Sequence, residues 1–226
     1  MIDTKNRISI QVGLSGYSFK IQAEGNSHSS EWLSPERIFN TAEFSRRYDD
    51  VDVSVFTPKF ALVPSGFHAP EISRQMLSEV ASVEDTDHVD FVAVPQFGAV
   101  LIYSLNVGGT LAKVISETVI RTDGTKGSML PETYYMMNAM QQITDYNKIV
   151  ASYMDGCLYL AIAQGKTLFL VNSFKAPDFA TAEYFIFLAM KKLQLNPEMS
   201  SIYFRTPLSE EQEMSLYRYF RSVEHI

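Results

Sequence analysis

The sequence predicts an α/β fold made of two copies of one unit. Three observations carry that prediction. Strand-like stretches with a two-residue apolar period alternate with helix-like stretches. The order strand, turn, strand, then helix, strand, helix occurs twice. Short matches between the halves recur in one order when the chain is slid along itself. A shift of 140 residues sets Gly16 on Gly156, Gly25 on Gly165, and "FNTAEF" (Phe39 to Phe44) on "FATAEY" (Phe179 to Tyr184). "VFTP" ending at Pro58 matches "FRTP" ending at Pro207, and "SVE" at Ser82 matches "SVE" at Ser222. The halves are expected over residues 1–129 and 130–226. The first copy runs on past "SVE" to "DFVAVP", whereas the second stops at Ile226, so the second is expected to lack its last strand.

In order, "RISIQV" and "YSFKIQ" read as half-buried strands around a turn with Ser15-Gly16 at its tip. "SPERIFNTAEFSRRY" reads as a helix, with Ser34 as N-cap, Pro35 at the first position and an inward stripe of Ile38, Ala42 and Phe39. "VDVSVF" is a strand. "PEISRQMLSEVAS" is a helix with Ile72, Met76, Leu77 and Val80 on one face. "DFVAVP" runs apolar without alternation, as a buried strand does. Residues 98–111 read as strand followed by helix. Thr122 to Ser128 is a loop by composition, and Pro131 opens a helix to about Tyr146. "KIVASYM", "CLYLAIAQ" and "KTLFLVNSF" are strands turned at Asp155-Gly156 and Gln164-Gly165. The helix "PDFATAEYFIFLAMKKLQL", the strand "SIYFR" and a last helix with Ser209 and Gln212 at capping-box spacing complete the chain.

The composition, 46% apolar and 20% charged over 226 residues, is that of a chain with a real core. A formal charge of −7 disfavours nucleic acid and anionic lipid as partners, since both need a basic footprint. The lone Cys157 allows neither an internal disulfide nor a zinc site, which points to a reducing cytoplasm. The N-terminus lacks the apolar core of a secretion signal, and the longest apolar stretch, Phe91 to Leu105, is interrupted by Pro95, Gln96 and Gly98.

Few residues carry a chemical signal. Ser15, Gly16 and Lys20 are of the types that cradle phosphate, but a short glycine turn with a solvated lysine has the same composition. Asp155-Gly156 fits a type I′ turn. Cys157 opens a core strand, as an inert thiol does. "EDTDHVD" (Glu84 to Asp90) gathers carboxylates but lacks the glycine and final glutamate of a calcium loop. Gly108-Gly109 stands before a helix without the lysine of a P-loop. In "YRYFRSV", Met214, Tyr217 and Phe220 fall on one helical face, as core residues do. "YYMMNAMQQI" reads as a helix covering a sheet. No catalytic residue and no metal ligand set is expected.

A three-strand antiparallel start followed by helix, strand, helix, strand resembles the ribonuclease H-like unit. Two copies with a central cleft resemble the actin-like ATPase superfamily. The whole chain is similar to an uncharacterised bacterial domain-of-unknown-function family with that fold, through "FTPKFALVP", "FVAVP" and "CLYLAIAQGKTLFLVNSF". In actin-like ATPases each half holds phosphate on a hairpin headed by an aspartate that orients Mg²⁺ and water, and a late glycine motif seats adenosine. Here Val12 or Gly13 stands where the first aspartate belongs, Asp155 lies at a turn tip, and nothing glycine-rich follows Gly165. The resemblance therefore implies a degenerate, non-catalytic fold acting as an interaction or assembly module with a protein partner. The alternative it implies is an ATPase-like protein binding ATP and Mg²⁺ at an altered site of Ser15, Gly16, Lys20, Asp155 and Gly156.

Overall fold

The computed structural model of the chain describes residues 5–23, 25–106 and 109–226. The chain opens with β1 (Arg7–Val12), β2 (Tyr17–Ala23) and β3 (Asn26–Ser29), followed by two short 3-10 turns and β4 (Asp50–Val55). Next come β5 (Phe60–Pro64), α1 (Ser73–Ser78), β6 (Val89–Val94), β7 (Ala99–Ser104), α2 (Gly109–Thr118), β8 (Ser128–Pro131) and α3 (Glu132–Ala139). Then follow β9 (Asn147–Met154), β10 (Cys157–Gln164), β11 (Thr167–Lys175), α4 (Phe179–Lys192), β12 (Ser201–Phe204), α5 (Glu210–Tyr217) and β13 (Ser222–His225).

The duplication is plain in the sheets. One has the order β3-β2-β1-β4-β8 and the other β11-β10-β9-β12-β13. In each, the first three strands pair antiparallel, and the fourth and fifth add parallel on the far side. A smaller sheet has the order β5-β7-β6. The chain forms two compact units: Met1–Lys59 with Ser82–Val89 and Tyr103–Glu132, and Phe60–Ala81 with Asp90–Ile102 and Thr133–Ile226.

Each unit has its own core. In the first, Ile8, Ile10 and Val12 of β1 and Val51, Val53 and Val55 of β4 share a face with Ala112 and Ile115 of α2. The other face of that sheet, reached by the two-residue period, holds Arg7, Gln11, Ser18 and Ser54. In the second, Ile149, Leu158, Leu160 and Ile162 meet Ile186 and Met190 of α4 and Leu216 of α5. A fully buried aliphatic side chain contributes about 1.5–3 kcal/mol, so these stripes hold the helices to their sheets. Asp178 caps α4 through the Thr181 amide at 2.7 Å, and Ser209 and Gln212 form the capping box that the sequence predicts for α5. Among the described residues no helix is long and apolar enough to cross a membrane.

Several expectations are corrected. The second sheet is complete, because Ser222–His225 leaves the expected helix and pairs parallel with β12 as a fifth strand. The "SVE" of residues 82–84 is not in a strand, so that sequence match does not join equivalent elements. "FNTAEF" also differs from its match. It forms two 3-10 turns, Pro35–Asn40 and Ala42–Ser45, whereas "FATAEY" begins α4. Between the two turns Thr41 has an extended backbone, and its hydroxyl bonds the Arg37 carbonyl at 3.0 Å and pairs with Tyr17 OH at 2.6 Å. The inward residues there are Ile38 and Phe44, while Phe39 is 85% exposed and Ser34 makes no cap bond.

In "PEISRQMLSEVAS" the helix shortens to Ser73–Ser78. Leu77 is buried, Met76 is half-buried, and Ile72 and Val80 are exposed. "DFVAVP" is an edge strand with Phe91 exposed, and the buried strand of its sheet is β7. Ser128–Pro131 is a strand rather than loop and helix start, and α3 ends at Ala139. Its few residues pair with β4, a long-range contact that composition does not encode. On α5, Met214 and Tyr217 are exposed and Leu216 packs inward, while Phe220, just past the helix, is buried as expected.

Candidate functional site

The first hairpin turns through residues 13–16, closed by a bond from the Gly13 amide to the Gly16 carbonyl at 2.9 Å. Beyond β3 the chain continues beside β2, and the backbones of Tyr17 and Leu33 exchange bonds of 2.9 and 2.7 Å. This brings the Leu33 carbonyl against Gly16, whose φ is +152°. A Cβ at Gly16 would overlap that carbonyl, so the glycine is required by the chain's own backbone. The Trp32 indole N–H donates to Ser15 Oγ at 3.2 Å. Lys20 is half-buried on β2, between Ser9 of β1 and Ser29 of β3.

At the end of β1, where an acid would stand, Val12 is fully buried in the apolar core and Gly13 is buried. A carboxylate does reach this strand end, from a residue the sequence reading passed over. Glu132, at the start of α3, is completely buried. Its Oε1 accepts from Gln11 Nε2 at 3.0 Å, its Oε2 accepts from Ser54 Oγ, and Gln11 Oε1 accepts from Ser18 Oγ at 3.4 Å. The group lies at the C-terminal ends of parallel strands, the usual place for sites in open α/β sheets. The available signal was a glutamate directly after Pro131 at a helix start. What hid it was the strand β8, which carries Glu132 to the sheet.

The second hairpin is the two-residue turn expected of it. Asp155 and Gly156 have φ of 51° and 68°, and Met154 pairs with Cys157 across it. The Gly156 carbonyl accepts from the Ala176 amide at 2.8 Å. Ser15, Gly16 and Lys20 thus come together on one hairpin of the first unit, and Asp155 and Gly156 on one hairpin of the second. Cys157 is half-buried, and burial pushes its thiol pKa up, which keeps it protonated and unreactive.

"EDTDHVD" joins α1 to β6, and not all of its carboxylates are exposed. Asp87 is buried and takes a 2.6 Å ion pair from Lys59 Nζ, with the Glu84 amide at 2.9 Å. The Lys59 hydrogen bond, foremost, holds its carboxyl below the usual range. Among the described residues no group of three or more His, Cys, Asp or Glu is placed to hold a metal ion. Gly108 lies outside the described residues, and α2 begins at Gly109.

The fold has solved counterparts. A protein of unknown function with an actin-like ATPase fold from Bacteroides thetaiotaomicron VPI-5482 superposes with a TM-score of 0.66 at 16% identity, over 100% of this chain and 94% of that one. The PilM–PilN type IV pilus biogenesis complex gives 0.54 at 12% identity, over 97% and 88%. The cytoplasmic domain of EpsL, an inner membrane component of the type II secretion system of Vibrio cholerae, gives 0.51 at 13%, over 91% and 84%. These likenesses show that the chain has the actin-like ATPase fold. No curated protein matches it. The family model described as a protein of unknown function (DUF3822) matches residues 2–223, and the chain belongs to that family.

Proposed function

We propose that this chain is a non-catalytic actin-like fold that works as an interaction or assembly module for a protein partner. One observation carries the reading. The glycine that resembles a phosphate-approach position, Gly16, is in contact with the carbonyl of Leu33, and the adjoining strand end offers Val12 in place of a metal-orienting carboxylate. Without that carboxylate, metal-assisted phosphoryl chemistry loses its anchor. Glu132 does not replace it freely, because both its oxygens accept internal hydrogen bonds. Two proteins of the same fold supply a precedent for assembly: PilM is described in a complex with PilN, and EpsL as a secretion-system component.

The test is thermal unfolding with and without saturating Mg-ATP. A ligand at a hundred times its Kd adds about 2.7 kcal/mol, which for a chain of this size raises Tm by roughly 5–10 °C. The expected result is no shift at millimolar nucleotide. A shift of that order would overturn the reading in favour of a nucleotide site, to be located with Lys20→Ala and Asp155→Ala.

A further inference from the structure

The edge strand β11 differs from the other edges of the two larger sheets. It is nine residues long, and none of its residues is buried. By contrast, β3 is four polar residues, β8 is four residues ending in Pro131, and β13 is four residues ending in Glu224 and His225. Short, polar or proline-ended edges resist pairing with other chains. β11 carries Leu168, Phe169, Leu170, Val171 and Phe174, with no proline and no charge before Lys175. Its register against β10 skips Phe169, since Ala163 faces Leu168 and Ile162 faces Leu170. This bulge leaves the Phe169 side chain 50% exposed. The Ser173 amide donates to Asn172 Oδ1 at 2.9 Å, its neighbour's side chain, and lies in the alternate register to the Ala176 amide that bonds the Gly156 carbonyl, so it faces away from β10. By the two-residue period, the Val171 amide faces the same way.

We propose that the outer edge of β11 docks an extended segment of a partner protein, which adds as a further strand and carries carboxylates at its ends. The proposal rests on the reading of the chain as an interaction module and names the surface used. Backbone pairing at a free edge gives affinity without requiring a particular sequence, and flanking charge selects the partner. Lys166 and Lys175 are exposed at the two ends of the strand. The nearby Asp178 is engaged as the cap of α4. Antiparallel pairing with a second copy would bring these lysines together, and like charges placed so repel. An acid-ended strand meets opposite charge at both ends.

The experiment uses the full chain and two fluorescein-labelled peptides of alternating threonine and valine, one closed by aspartate at each end and one by lysine. Anisotropy should show the aspartate-ended peptide binding roughly three- to tenfold tighter, as two exposed ion pairs allow. Hydrogen exchange at Val171 and Ser173 should slow when it binds. Val171→Pro removes an outward-facing amide, a change that edge strands tolerate, and should abolish binding with Tm nearly unchanged. The double variant Lys166→Glu, Lys175→Glu keeps the backbone intact and should reverse the preference. Failure of both peptides to bind, wild-type binding by folded Val171→Pro, or self-association that protects the same amides would each overturn the proposal. If these fail while Mg-ATP leaves Tm unmoved, the β11 edge is wrong and the module reading stands. A Mg-ATP shift strikes the module reading itself.

Discussion

The carbonyl of Leu33 lies against Gly16 so closely that a Cβ on Gly16 would sit well inside the 3.0 Å that real Cβ atoms keep from other atoms. The contact decides what that glycine is for. Gly16→Ala must push the Leu33 backbone away or distort the hairpin, and overpacking of this kind costs about 1–3 kcal/mol. Gly156→Ala meets only ordinary contacts at 3.7 Å and is strained by its φ of 68° alone, for roughly 1–2 kcal/mol. Urea unfolding of the two variants should rank Gly16→Ala as the more damaging. Equal midpoints would mean that the Leu33 contact has no weight.

The Lys59–Asp87 pair predicts a second effect. The two side chains are 17% and 3% exposed. Asp87→Asn leaves Lys59 without its counter-charge and should cost about 3–5 kcal/mol, while Lys59→Met with Asp87→Leu should recover part of it, the Glu84 amide still lacking its acceptor. Equal destabilisation by the double variant would contradict this.

The same pair sets an acid limit. Because the folded pKa of Asp87 is lowered from 3.8, its contribution is fully present above about that pH. It is lost as pH falls through the depressed folded value, since the unfolded chain then binds the proton more readily. Wild-type stability should therefore drop more steeply than that of Asp87→Asn below pH ~4. Parallel curves would remove Asp87 from the acid response.

Arg221 fastens the fifth strand of the second sheet. It donates to Asp145 Oδ2 at 2.8 Å and to Ser201 Oγ at 2.6 Å, and Tyr203 OH also reaches Asp145 at 3.1 Å. The Ser201 hydroxyl, foremost, lowers the Asp145 pKa. Arg221 is half exposed, so Arg221→Ala should cost only about 1 kcal/mol. Its signature should be local: faster hydrogen exchange in Ser222–His225 with β9 unchanged. Uniform acceleration would point to global loss instead.

Glu132 is tested by Glu132→Ala, which strips the acceptor from Gln11 and Ser54 in a closed environment. Unsatisfied buried donors cost about 1–3 kcal/mol. Adding Gln11→Leu should restore part of the loss, and additive losses would show that the two residues are not coupled.

The α/β class, the repeated strand order and the local devices are legible in the residues alone. The Asp155-Gly156 turn, the α5 capping box and the three strands of the second hairpin set are written in residues close along the chain, where backbone preference and side-chain period suffice. Tertiary structure decided what those residues do. Thr41 has an extended backbone that interrupts an apparent helix, and its hydroxyl pairs with that of the distant Tyr17. Ser128–Pro131 and Ser222–His225 are strands because β4 and β12 stand ready to pair with them. Gly16 reads as a phosphate residue until Leu33 is brought beside it, and Glu132, which carries no signal beyond following Pro131, is carried to the sheet by β8. Each of these depends on a contact between parts of the chain that are distant in sequence, and local backbone preference and side-chain period do not encode such contacts.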